Sequence, residues 1–180
     1  MFIKKLDLAV DLEQVKRDTQ EIISKVGWGD INQISLVHRP STLDPNEQWR
    51  DGTGSLFENG KKIIEEAEFS VINEKIPEYT KQILNDLAVS QNIKIGRTRL
   101  MNLPYNQGLG VHRDESERYH LAIVTHNYAY IANVNSSNPM AICYHIPDNC
   151  HFYKVNTTLE HFVFNGYRQP RIHLVICPRN

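Results

Sequence analysis

The chain predicts an α+β fold, with helices gathered in its first half and an all-β barrel in its second. Early on, apolar residues recur at helical spacing. After Ser90, short strand-like runs alternate with turn residues. Size agrees, since 180 residues with 41% hydrophobic and 23% charged content suffice for a single domain, 1–180, with one core. Residues 1–90 read as helical and strand support carrying substrate loops. Residues 91–180 read as the barrel core.

Residues 2–10 form the first strand candidate. Asp11 can cap a helix over 12–26 whose apolar positions Leu12, Val15, Ile22, Ile23 and Val26 share a face, and Gly27 stops it. Gln33 to Val37 is a second strand. From His38 to Gly60 the chain is polar and rich in Pro and Gly, so it reads as loop or hairpin, with Trp49 and Arg50 as candidates for a substrate lid. A helical region is expected from about Lys61, with Pro77 in the first turn of a helix bearing Tyr79, Ile83, Leu84 and Leu87. Then come KIGRTRLMNL, YHLAIVTH, AYIANV, AICYHI, HFYKVN, HFVFNG and RIHLVIC, which suggest an antiparallel sandwich or barrel.

A formal net charge of −1 gives no basic field for phosphate backbones, so no nucleic-acid partner is expected. The opening MFIKKLDLAVDLEQ lacks the apolar core of a signal peptide, and no later run is long enough for a bilayer; no membrane partner is expected. Cys143, Cys150 and Cys177 are odd in number and form no CxxC pair. They fit reduced thiols in a cytoplasmic protein.

Seven of the eight histidines fall in the barrel half. His112 and Asp114 stand one residue apart, and in extended chain such side chains point the same way, so both can grip one ion. The best third ligand is His161, between two strand-like runs. Two imidazoles and a carboxylate on one face of an ion describe the facial triad of non-haem Fe(II) oxygenases, which leaves the opposite face for a bidentate co-substrate and O2. An HxD pair alone is a weak signal, since such an Asp is commonly a turn residue, and zinc suits the same ligands. Arg171, ten positions after His161, opens the last strand on the same face as His173 and Val175. If that face is inward, the guanidinium needs an anion, and a chelating keto diacid offers its distal carboxylate.

Four elements then carry a family likeness: His112-Arg113-Asp114, Arg118-Tyr119-His120-Leu121, FYKVNTTLEHFVFNG with His161, and PRIHLVI with Arg171. Over residues 95–178 the chain resembles the aspartyl/asparaginyl β-hydroxylase superfamily of Fe(II)/2-oxoglutarate dioxygenases, with a closer likeness to bacterial free-proline cis-hydroxylases. The resemblance implies a double-stranded β-helix (jelly-roll, cupin-like) barrel. It also implies iron on His112, Asp114 and His161, the 2-oxoglutarate distal carboxylate on Arg171, and Arg118 and His120 lining the co-substrate site. The implied activity is hydroxylation of an amino acid, free or within a peptide, coupled to conversion of 2-oxoglutarate to succinate and CO2. The chain departs from the pattern at Asn156, where the family often has aspartate, and in the short loop from Asp114 to Arg118. Residues 1–90 match no family element.

On spacing alone, Arg118 paired with Glu115 or Glu117 at a sheet edge is as good a reading as Arg118, His120 and Ala122 forming a polar mouth that narrows into the core. Arg97 and Arg99 alternate on one face of their strand and are expected in surface ion pairs, although Arg99 can also meet a substrate carboxylate. His126, His145 and His151 read as structural or surface residues. Two other classes remain open, a cupin-like metal-binding module and a zinc hydrolase using Glu115 or Glu160 as general base.

Overall fold

A computed structural model of the chain describes residues 1–135 and 138–179. In chain order its elements are β1 (Ile3–Ala9), α1 (Leu12–Val26), β2 (Gln33–Ser35), β3 (Val37–His38), β4 (Phe57–Glu58), β5 (Lys61–Lys62), β6 (Val71–Ile72), α2 (Glu78–Gln91) and β7 (Lys94–Leu103). There follow β8 (Gln107–His112), β9 (Arg118–Val124), β10 (Ala129–Asn135), β11 (Asn138–Tyr144), β12 (His151–Val155), β13 (His161–Asn165) and β14 (Arg171–Arg179). In one main sheet the pairs β1–β12, β12–β9 and β7–β2 are antiparallel, as are β11–β10, β10–β13 and β13–β8 in the other. Among the described residues no helix is long and apolar enough to cross a membrane.

Two compact units divide the chain: Met1–Leu12 with Asn102–Leu174, and Glu13–Met101 with Val175–Asn180. In the first, strands β1, β12, β9 and β14 lie in that order, and a second sheet runs β11-β10-β13-β8. Both sheets feed one apolar core, Phe2, Ala122, Ile131, Ile146, Tyr153, Val155 and Val163. Residues 1–12 join this unit because β1 pairs with β12 and the Phe2 carbonyl accepts the Asn156 N–H at 2.8 Å.

The second unit holds both helices. Helix α1 buries Val15 and Ile22 and ends at Gly27, whose φ of 64° lets its N–H turn back to the Ile23 carbonyl. Arg50 satisfies the carbonyls beyond that end, donating from Nη2 to Val26 and Gly27 and from Nη1 to Trp28 and Gln33. Trp49 is buried beside it. The expected lid role is therefore corrected: this pair anchors a helix terminus. Asp18 of α1 accepts both the N–H and the hydroxyl of Thr80, which ties α1 to the first turn of α2.

Two further expectations change. Lys61 begins no helix, whereas the helix expected at Pro77 runs from Glu78 to Gln91 with Pro77 at its N-cap position. Asn59 and Gly60, at φ 49° and 76°, make a tight hairpin turn that commits Lys61 and Lys62 to β5. A capping box between Glu65 and Glu68 then closes a single 3-10 turn. Arg97 and Arg99 are buried and not at the surface. Arg97 donates to the carbonyls of Gly52 at 2.6 Å and Gly54 at 2.5 Å and lies 3.6 Å from Glu66, while Arg99 donates to Gln33 Oε1. Acceptors distant in sequence, the Gly52 and Gly54 carbonyls and the Gln33 amide oxygen, claim these guanidinium groups, a demand that strand alternation cannot reveal.

Candidate metal centre

His112 is the last residue of β8 and His161 the first of β13, and the antiparallel ladder sets them opposite each other. Their ring centroids are 4.3 Å apart. Asp114 follows β8 by two residues and leans between them: Oδ1 is 4.0 Å from His112 Nε2, and Oδ2 is 3.8 Å from His161 Nε2. One donor atom from each of the three residues falls within 4.8 Å of the others. An ion about 2.1 Å from its ligands holds neighbouring donors about 3.0–3.4 Å apart, so the three side chains are gathered at the reach of one ion and would close in slightly on binding it.

The outer nitrogens set the chemistry of the inner ones. His112 Nδ1 lies 2.7 Å from the Gly110 carbonyl and His161 Nδ1 2.9 Å from the Leu159 carbonyl. A carbonyl only accepts, so each Nδ1 carries the proton and each Nε2 presents a lone pair towards Asp114. Metal-binding histidines are held in this way. Burial pushes the His161 imidazole below its usual range, and His112 adds to the effect, which favours the neutral, ligating form.

Backbone contacts hold the carboxylate in place. The Asp114 N–H donates to the Thr157 carbonyl at 2.8 Å, and the Thr157 hydroxyl donates to the Ser116 carbonyl at 2.7 Å. Arg113 reaches Glu160 at 3.3 Å and so clasps the end of β8 to the start of β13. Asn133 stands opposite His161 on the other side of β13 and donates to the Glu160 carbonyl. Phe2 completes the surroundings, its ring 6.5 Å from that of His161.

The remaining candidates are buried in the same unit. Arg118, first residue of β9, places Nε 3.4 Å from Asp114 Oδ2 and donates from Nη1 to the Ser116 hydroxyl at 2.5 Å. Asp114 and Ser116 are thus partners of Arg118 that strand spacing did not suggest. Lys154 instead holds Glu117. His120 meets His173 of β14 edge-on, with centroids 5.8 Å apart. Arg171, only 5% exposed, donates to His173 Nδ1 at 3.0 Å and has no acidic partner among the described residues. Burial lowers its guanidinium to about 9, still cationic at neutral pH. His126, His145 and His151 do hold structural hydrogen bonds, to Asn165, Ala129 and Asn149.

Sequence reasoning did not find Thr157, Ser116 or Phe2 as neighbours of the site. Each arrives through a non-local strand or loop contact. It also passed over β8, whose glycines at 108 and 110 hide a strand. The signal was there in the His112–Asp114 pair, whose reading assumed extended chain leading into it.

No protein-family model matches the chain, and no curated protein sequence does. Among solved structures it is similar to AviO1 from Streptomyces viridochromogenes Tue57, with a TM-score of 0.56 and 11% identity over 99% of this chain and 90% of that one. It is also similar to a prolyl-4-hydroxylase from Pseudomonas putida, with a TM-score of 0.51 and 10% identity over 99% of this chain and 87% of that one. An oxidoreductase of the 2OG-Fe(II) oxygenase family from Burkholderia pseudomallei aligns over 59% of each chain at 14% identity and a TM-score of 0.48. The chain thus spans 59% of that enzyme's length. The first two likenesses establish that this chain shares the fold of AviO1 and of that prolyl-4-hydroxylase.

Proposed function

We propose that the chain is an Fe(II)- and 2-oxoglutarate-dependent dioxygenase that hydroxylates an amino acid, free or within a peptide, of the Asp/Asn/Pro type. The carrying observation is the convergence of His112, Asp114 and His161 with both imidazole Nδ1 atoms tied to carbonyls. This donor set, two neutral imidazoles and one carboxylate, suits Fe(II). The two sheets that share one core, together with the likeness to a prolyl-4-hydroxylase, support a double-stranded β-helix barrel around it.

His112, Asp114 and His161 would hold the iron. Bound iron supplies the oxidative chemistry, using O2 and 2-oxoglutarate, which leaves as succinate and CO2. The chain's own residues bind and orient. Arg171, a buried cation with no acidic partner among the described residues, takes the distal carboxylate. His173 accepts one of its N–H groups and so fixes how the guanidinium fork points. His120, packed edge-on against His173, lines the co-substrate's position, with Arg118 at the start of the same strand. The free thiols of Cys143, Cys150 and Cys177 support a reducing, cytoplasmic setting.

A zinc hydrolase would need Glu115 or Glu160 as general base beside the metal, and the Glu160 carboxylate is held by Arg113. The deciding experiment is aerobic turnover of 2-oxoglutarate with Fe(II), screened over amino acids and short peptides with succinate as the readout. Succinate released in step with a hydroxylated product is the expected result. Metal binding without any 2-oxoglutarate response would leave a cupin-like module as the better description.

A further inference from the structure

We infer that His173 is a direct donor to the co-substrate, its Nε2–H reaching the keto-acid end while Arg171 holds the distal carboxylate. The inference rests on the 2-oxoglutarate reading of the site and deepens it.

The tautomer comes first. Arg171 donates from Nη2 to His173 Nδ1 at 3.0 Å, so the ring's own proton sits on Nε2. His173 is only 1% exposed, and Nε2 is buried with no hydrogen-bond partner among the described residues. A buried donor left in that state is costly. Water would need further polar partners there and would leave the neighbouring guanidinium unbalanced, whereas an anion answers both needs.

Position says which end of the anion. Strand β13 carries the chain away from the metal centre, from His161 to Asn165, and Asn165 there donates to the Gln169 carbonyl. Arg171 follows at once, so β14 starts at the end remote from the metal. His173 meets the ring of His120, and His120 is one pleat along β9 from Arg118, which lies 3.4 Å from Asp114. His173 therefore stands between Arg171 and the metal. The two nitrogens of an imidazole point apart. With Nδ1 turned to Arg171, Nε2–H is turned away from it, and its acceptor lies roughly 6–8 Å from Arg171 Nη2, two hydrogen bonds and a ring away. One carboxylate does not span that gap. A five-carbon keto diacid does, since its outer oxygens are about 6–7 Å apart when extended.

Anaerobic titration into the Fe(II) protein, followed by its absorption band, tests this with two keto acids. 2-Oxobutyrate has the keto-acid end and lacks the distal carboxylate, so it gives Arg171 nothing to hold. His173→Leu should weaken both 2-oxobutyrate and 2-oxoglutarate by about 10- to 100-fold, the worth of a hydrogen bond to a charged group. His173→Gln, whose amide accepts and donates as the imidazole does, should recover part of the loss. Arg171→Ala should leave 2-oxobutyrate within about threefold, since the lost fork had no carboxylate to meet. If His173→Leu weakens 2-oxoglutarate but not 2-oxobutyrate, His173 acts only by positioning Arg171, and the proposal is overturned. A wild type that binds Fe(II) but neither keto acid would overturn the 2-oxoglutarate reading, and this inference with it. Where His173→Leu does not fold, or 2-oxobutyrate binds too weakly to titrate, NMR of the wild-type Zn(II) protein decides. The His173 Nε2–H proton should move downfield when 2-oxoglutarate is added, and an unmoved signal overturns the proposal.

Discussion

Arg171 donates from Nη2 to Nδ1 of His173 at 3.0 Å, so His173 is held as the tautomer with its proton on Nε2. A neutral imidazole accepts one bond from the guanidinium but cannot balance its charge. Burying an unbalanced cation is costly, and the cost is recovered when an anion arrives. The pair is therefore arranged as half of an anion site whose other half is a ligand.

The first prediction follows from that arrangement. Losing a charge-assisted fork to a buried carboxylate costs about 2–5 kcal/mol, or roughly thirtyfold to several-thousandfold in affinity. Arg171→Ala should lose 2-oxoglutarate binding by that factor while metal affinity holds. Arg171→Lys should restore only part, because a point charge lacks the bidentate geometry. Anaerobic titration of 2-oxoglutarate into the Fe(II) protein, followed by its absorption band, reads both. Equal binding by wild type and Arg171→Ala would remove Arg171 as the anchor.

His173 gives a pH prediction. Burial, reinforced by Arg171, His120 and His145, pushes its imidazole well below the ordinary 6.5. Above that value neither the folded nor the unfolded chain carries a proton there. Below it the unfolded chain takes up a proton that the folded chain refuses, so stability falls as pH drops, by at most about 1.4 kcal/mol per pH unit for one such group. Urea unfolding over this range should show the slope, and His173→Gln should flatten it. An unaltered slope would place the effect elsewhere.

The His112–Asp114 pair and the Arg171–His173 pair were legible because each depends on short spacing, whereas His161 came from a distant strand as the best third ligand. One residue separates His112 from Asp114, and the alternation of β14 puts Arg171 and His173 together. The strands from β9 onward were legible from their apolar runs. Strand β8 was not, because Gly108 and Gly110 dilute its β pattern, and the reason for Gly108 lies in the neighbouring strand β13. Arg50, Arg97 and Arg118 were illegible in another way. Each guanidinium is claimed by groups set through the fold, and sequence shows a charge without showing which carbonyl or carboxylate it will meet. The segment after Asn59 misled because Lys and Glu favour helices, while a two-residue turn decided the outcome.

Asp51 tests the second unit on its own. Its buried carboxylate accepts the Arg39 N–H at 2.7 Å, Arg39 Nε at 3.0 Å and the Thr42 hydroxyl at 2.7 Å. Burial raises its pKa, but the bonds from Arg39 and Thr42 outweigh that and leave it lowered, so its contribution is present above 3.8 and fades as pH falls further. Asp51→Ala strands several donors at once and should cost about 2–4 kcal/mol, or roughly 5–15 °C of melting temperature. A loss under about 2 °C, no more than one net hydrogen bond's worth, would show that these bonds are replaced by water.

Gly108 joins the fold to the metal centre. A Cβ there would meet the Val163 carbonyl oxygen at 2.5 Å and the Phe164 ring at 3.2 Å. The first of these is a backbone atom and cannot swing aside, so Gly108→Ala must push β8 away from β13. Those strands carry His112 and His161, whose separation depends on the ladder between them. The substitution should cost about 1–3 kcal/mol of stability, as overpacking does. It should also weaken Co(II) binding by tenfold or more, the effect of displacing a ligand's support. Gly110→Ala is the internal control. It lies on the same strand, closer to His112, yet a Cβ there meets nothing within 4 Å, and its carbonyl would still receive His112 Nδ1. Its Co(II) affinity should stay within about threefold of wild type, since no ligand support is displaced. Co(II) titration and thermal melts of both variants give the answer. If both bind Co(II) as wild type does, the β8–β13 ladder does not set the spacing of the two histidines. If Gly110→Ala is the more damaging, the His112–Gly110 contact governs the site more than the strand spacing does.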